Sequence, residues 1–296
     1  MYYQITNDQL TATIHELGAE LVSVKDATGT EFIFQPSPLW PGQAKTLFPN
    51  VGLAKEDCAI IRGKKYPMYQ HGFLKDQILS VVKQERDSIT FLLESGEETR
   101  RFVPYEFRVY ISFRLSSNQL IHSFHVENLE EETMYFGLAS HTGFCTDTRS
   151  YVDFLGNDHL REVCRKDMKY LTGETVDFPL EEGKLPVSPK YYAVGARILE
   201  GLQDRRLKLY NPGLGTAVEI SFRDFDRITL WSTPDARTVL CMMPWLALPD
   251  YENTDHVFET KPGNVELAGA PALRQPRPLP FLRQRDGSGK KYGHTS

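Results

Sequence analysis

Two histidines in similar surroundings carry the strongest chemical suggestion in this chain. His71 stands in Tyr69-Gln70-His71-Gly72-Phe73 and His141 in Ala139-Ser140-His141-Thr142-Gly143-Phe144, each followed by a glycine and a phenylalanine. Imidazole gives and takes protons near neutral pH, and glycine lets a ligand approach the backbone closely, so a paired site would supply general acid and base groups. The bland alternative, a histidine hydrogen-bonded within the core, applies to either one taken singly. Trp40, Trp231 and Trp245, with Phe48 and Phe73, offer flat apolar faces of the kind that pack against the C–H groups of a sugar ring, although core packing is the commoner role for such a residue taken singly. His122 and His125 sit three apart in an alternating run, which sends them to opposite faces and discounts them as a metal pair. His15, His159, His256 and His294 have no supporting context, and Cys58, Cys145, Cys164 and Cys241 show neither a CxxC pair nor zinc-type spacing, so we expect reduced thiols and no metal.

The elements that must position these groups read as strands. Alternating apolar and polar residues fill 10–14, 21–25, 78–83, 88–93, 107–115 and 119–126, separated by turn chemistry such as Arg62-Gly63-Lys64-Lys65 and Ser116-Ser117-Asn118. Strands linked this closely pair antiparallel. No long segment sustains a helical apolar period, although 160–171 and the stretch after Ile198 are given a turn or two of helix. An all-β antiparallel sandwich follows, as one body over 1–270. From Pro271 onward the prolines are interleaved with Arg and Gln, and 271–296 is expected to be a disordered tail.

A net charge of −5 over 296 residues gives no reason to expect nucleic acid or an anionic membrane as partner, and a small neutral ligand suits it better. The first residues lack the basic start and apolar run of a signal peptide, and no run reaches the length of a membrane span, so the protein is expected in the cytoplasm. The acidic stretches 94–98 and 127–132 read as solvated turns rather than catalytic carboxylates.

Several motifs in order resemble the bacterial galactose mutarotase-like proteins of the aldose 1-epimerase superfamily. They are Leu17-Gly18-Ala19-Glu20-Leu21, Leu39-Trp40-Pro41, Thr46-Leu47-Phe48-Pro49-Asn50-Val51-Gly52, Gln70-His71-Gly72-Phe73, Ser140-His141-Thr142-Gly143-Phe144 and Leu240-Cys241-Met242-Met243-Pro244-Trp245, together spanning about residues 5–268. The resemblance implies a galactose mutarotase-like antiparallel β-supersandwich with a sugar cleft, acting on a small-molecule carbohydrate without metal or organic cofactor. The sequence leaves monomer or homodimer open. Such enzymes interconvert α and β anomers: a base takes the C1 hydroxyl proton, an acid protonates the ring oxygen, and the ring opens and recloses. By position His71 is implied to orient the sugar near the ring oxygen and His141 to act as general acid. Read from the residues themselves, alternation puts Met243 and Trp245 on one face as a cleft floor, and Phe73, Met243, Trp245 and Asp250 are the expected substrate contacts.

Three positions depart from the family pattern. Met243 stands where the base glutamate belongs, Leu53 where an arginine follows the glycine, and Gly195 where a sugar-contacting aspartate is usual. A thioether takes no proton from a hydroxyl, so an active enzyme needs a substitute base, for which Asp250 and Glu252 lie closest beyond Trp245. The alternatives are a sugar-binding or sensing protein without catalysis, and a sugar-phosphate epimerase, for which Arg100, Arg101, Lys55 and Arg197 are the basic candidates. The last family strand is also altered, at Leu267-Ala268-Gly269-Ala270-Pro271.

Overall fold

The alternation read from the first half becomes strands at Leu10–His15, Glu20–Asp26, Ser80–Gln84, Ser88–Glu94, Phe107–Ser116 and Gln119–Asn128 in a computed structural model that describes residues 1–193 and 195–269. The Phe107–Ser116 strand shows why. Phe107, Val109, Ile111, Phe113 and Leu115 are buried while the residues between them are not, so one face is committed to the core. Its neighbour Gln119–Asn128 pairs with it antiparallel through the turn at Ser117. On that strand His122 lies inside, between the rings of Phe113 and Phe124, while His125 faces the other way toward Glu127, as alternation requires. The expected tail, 271–296, lies outside the described residues.

All the named sheets are antiparallel, which is the all-β sandwich expected from the pattern. The site is built on the largest sheet, seven strands in the order Tyr170–Phe178, Leu160–Lys166, Arg197–Glu200, Arg227–Trp231, Val239–Trp245, Ala139–Cys145 and Ala44–Leu47. Val239–Trp245 lies within this sheet and is buried at every position. It divides its side chains between two apolar clusters. Leu240 and Met242 join the main core, which draws residues from Ile5 to Phe258, whereas Val239, Cys241, Met243 and Trp245 form a second cluster with Leu47, Val51, Ala139 and Leu248.

The helical turn expected at 160–171 is absent. Leu160–Lys166 and Tyr170–Phe178 form a hairpin, closed by Asp167 and Met168, both at positive φ. A register shift between Val163 and Arg165 interrupts the alternation and hid the strand. The stretch at Ile198 is likewise a strand, Arg197–Glu200. Near the altered C-terminus, Val265–Leu267 pairs with Met134–Phe136, so that edge is still supplied with a strand. No helix among the described residues is long and apolar enough to cross a membrane.

Candidate functional site

His71 is fixed by Gly52. Its backbone N–H donates to the Gly52 carbonyl at 3.1 Å, and its Nδ1 accepts the Gly52 N–H at 3.1 Å. An Nδ1 that accepts leaves the proton of the neutral ring on Nε2, which has the Gln70 side-chain amide 3.4 Å away, so this histidine offers a donor to that amide's oxygen or to a ligand. The chain reaches this arrangement through positive φ at both His71 (67°) and Gly72 (67°). Gly72 has a second reason to lack a side chain, since a Cβ there would fall 2.2 Å from the Phe48 carbonyl oxygen.

His141 comes from the Ala139–Cys145 strand, directly across from Lys45, and its ring centroid lies 5.7 Å from that of His71. Its Nδ1 is buried without a partner among the described residues. Burial pushes His141 down to about 4, with the nearby Lys45 acting in the same direction. His71 is held well below the usual range, first by burial and then by His141, Lys75 and Lys45. Both rings are therefore neutral at pH 7.

Aromatic rings surround this pair. Trp40 lies 5.5 Å and Trp231 6.2 Å from His141, Trp245 lies 6.1 Å from His71, and Trp40 meets Trp231 edge-on at 5.3 Å. Gly143 makes room for Trp40, because a Cβ there would stand 2.6 Å from its Cζ3. Together these residues line a cleft of about 630 Å³, a size suited to a small ligand. Met243 is part of its lining and is 1 % exposed, opposite Thr229 on the adjoining strand. Leu53 and Gly195 line the same cleft, so the three positions singled out as departures meet in one place.

Two expected contacts lie elsewhere. Phe73 is in the core, stacked on Phe102 at 5.1 Å and edge-on to Phe48 at 6.2 Å, and Phe48 itself is fully buried. Asp250 is buried in an ion pair with Lys261, and its second oxygen accepts the Lys55 N–H at 2.8 Å. Burial lowers the Lys261 pKa while Asp250 opposes the shift. The Pro249 turn thus carries Asp250 away from the cleft, although it is five residues from Trp245. Glu252, the other suggested base, pairs with Lys166 and does not line the cleft either.

The basic residues picked from sequence are also committed elsewhere. Arg100 pairs with Glu106, Arg101 with Glu98 and Arg197 with Glu162. The cleft is lined instead by Lys45, Lys75, Arg165 and Lys169, with Asp167 as the one carboxylate among the described lining residues. Lys45 was missed because its place opposite His141 is a pairing between strands far apart in the chain, and Arg165 and Asp167 were hidden with the hairpin read as helix. His256, without context in sequence, comes within 3.6 Å of Cys58 and within 3.9 Å of Glu56, a cluster of three potential metal ligands assembled across some two hundred residues. In that cluster the Cys58 thiol also donates to the Lys55 carbonyl.

The aldose 1-epimerase family model matches residues 1–187, a span that includes His71 and His141 and ends before Met243. Protein LacX of Lactococcus lactis subsp. lactis, in plasmid and chromosomal versions, is 27% identical over 278 residues, covering 88% of this chain and 93% of its own length. A galactose mutarotase related enzyme from Lactobacillus acidophilus superposes with a TM-score of 0.89 at 29% identity, covering 98% of this chain and 99% of that one. A galactose mutarotase-like protein from Lactobacillus casei ATCC 334 gives 0.87 at 25% identity, covering 97% and 99%.

Proposed function

The chain belongs to the aldose 1-epimerase family, and from that premise we propose that its cleft binds an aldose without efficient exchange of the anomers. The observation that carries the second half of this reading is Met243. It occupies the cleft lining where the resemblance places the base, and the carboxylates beyond it, Asp250 and Glu252, are held in ion pairs away from the cleft.

The first half rests on what the lining can do. The faces of Trp40, Trp231 and Trp245 suit the C–H surface of a pyranose, while the Nε2–H of His71 suits an oxygen acceptor such as the ring oxygen. Ring opening also needs a proton taken from the C1 hydroxyl. Neutral His141 is the remaining basic nitrogen near His71, and a ring whose conjugate acid titrates near 4 is a weak base. Loss of a positioned general base lowers a rate by about two to four orders of magnitude.

The test combines saturation-transfer NMR with anomer-exchange NMR over a panel of aldoses, on wild type and His141→Ala. Saturation transfer with exchange at the protein-free rate supports the proposal. Exchange above that rate, lost in His141→Ala, overturns its second half in favour of an epimerase that uses the histidine pair, a reading favoured by the 5.7 Å approach of the two rings.

A further inference from the structure

We infer that the sugar bound in this cleft carries an anionic substituent, a phosphate ester or a carboxylate, held on the hairpin side by Arg165 with Lys169. The inference rests on the carbohydrate reading above and narrows its substrate class.

The charge of the lining comes first. Lys45, Lys75, Arg165 and Lys169 stand against the single carboxylate of Asp167, an excess of positive charge in a chain whose net charge is −5. A concave wall of one sign concentrates ligands of the other. Lys75 has a partner in exposed Asp76, but Lys45, Arg165 and Lys169 have no ion pair among the described residues.

Arg165 is the most telling member. It is only partly exposed, and burial lowers its pKa, with Arg197 adding to the shift and Glu162, already paired with Arg197, opposing it. Its guanidinium donates to the carbonyls of Met168, at 3.1 Å, and Ala196, while its Nε is buried with no hydrogen-bond partner among the described residues. A guanidinium in such a place costs free energy unless an anion completes it. Ala196 adjoins Gly195, the cleft position at which the resemblance implies an aspartate. With glycine there, no side-chain carboxylate from that loop is available to Arg165.

Hydrogen-bond supply points the same way. Four cationic side chains donate and do not accept, His71 presents only its Nε2–H, and the described side chains that can accept the protons of sugar hydroxyls in the cleft reduce to Asp167, Gln70 and His141. A neutral aldose is poorly matched to such a donor-rich wall. A phosphate or carboxylate brings its own acceptors and forms charge-assisted bonds with the Arg165 fork.

The intrinsic fluorescence of the cleft tryptophans, backed by calorimetry, reads binding of glucose, galactose, their 6-phosphates, glucuronate, galacturonate and inorganic phosphate. We expect at least one charged sugar to bind about ten times or more tightly than its parent, with the advantage shrinking as ionic strength rises. Comparing the 6-phosphates with the uronates identifies which anionic group is used. In Arg165→Gln, checked for folding by its urea midpoint, the charged sugar's advantage is lost; Arg165→Lys keeps part of it. Equal affinity for charged and parent sugars overturns the inference while leaving the carbohydrate reading intact. Inorganic phosphate binding as tightly as the sugar phosphates also overturns it, since the sugar then contributes nothing. If no sugar, charged or neutral, binds at all, it is the carbohydrate reading that fails.

Discussion

Met243→Glu puts a carboxylate on the central strand of the cleft, whose described lining otherwise holds only Asp167 on the hairpin turn, and the structure sets both its cost and its gain. Met243 is 1 % exposed and packs with Cys241, Trp245 and Leu47, so a glutamate there loses water on most sides. A buried polar or charged group without full compensation costs on the order of 3 kcal/mol. The Thr229 hydroxyl, buried without a partner on the residue directly across, is a nearby donor that offsets part of this. Against a typical stability of about 5–15 kcal/mol the fold survives. The gain is a general base in the lining shared with His71 and His141, worth about 10²–10⁴ in rate. The assay is anomer-exchange NMR on the best-binding sugar, alongside urea unfolding. A folded variant that binds this sugar yet exchanges it no faster than wild type refutes the argument that a missing carboxylate is what silences the site.

Further outcomes follow from other parts of the molecule. His122 is buried between Phe113 and Phe124 and burial pushes it down to about 3, below its unfolded value; its stabilisation is complete above about pH 6.5 and lost as pH falls toward 3. Lowering the pH from 7 to 5 should therefore cost ~2 kcal/mol through this residue, and His122→Phe should flatten the urea midpoint over that range; an unchanged pH dependence refutes the assignment. Gly143→Ala drives a methyl group into Trp40 and should weaken sugar binding roughly three- to tenfold, measured by saturation transfer; undiminished binding removes Trp40 from the site. Asp250→Asn leaves the buried Lys261 charge uncompensated and should destabilise the fold by about 3–5 kcal/mol, read by urea unfolding, with sugar affinity per folded molecule unchanged. A stable variant with altered binding would instead return Asp250 to the site.

Fold and site differed in how legible they were. Strands such as Phe107–Ser116 could be read directly, because one face is committed to the core and alternation records it residue by residue. The hairpin 160–178 could not, since the register shift at Val163 breaks that record just before Arg165. His71, His141, Met243, Leu53 and Gly195 meet in the cleft where motif order suggested a site. Asp250 and Phe73 were misplaced because closeness in sequence to Trp245 or His71 says nothing about which side of a turn a residue takes. Pairings such as Asp250 with the Lys55 N–H, 195 residues apart, leave no local trace.

The division of the Val239–Trp245 strand between two clusters bears on how such a protein can change over generations. Leu240 and Met242 belong to the large core, so substitutions there are felt by the whole fold. Cys241, Met243 and Trp245 belong to the smaller cluster, which includes the cleft wall, so substitutions there fall first on the ligand. Drift at these alternate positions can abandon one chemistry and acquire another while the architecture persists. A library that randomises 241, 243 and 245 and keeps 240 and 242 fixed would explore the same space in the laboratory.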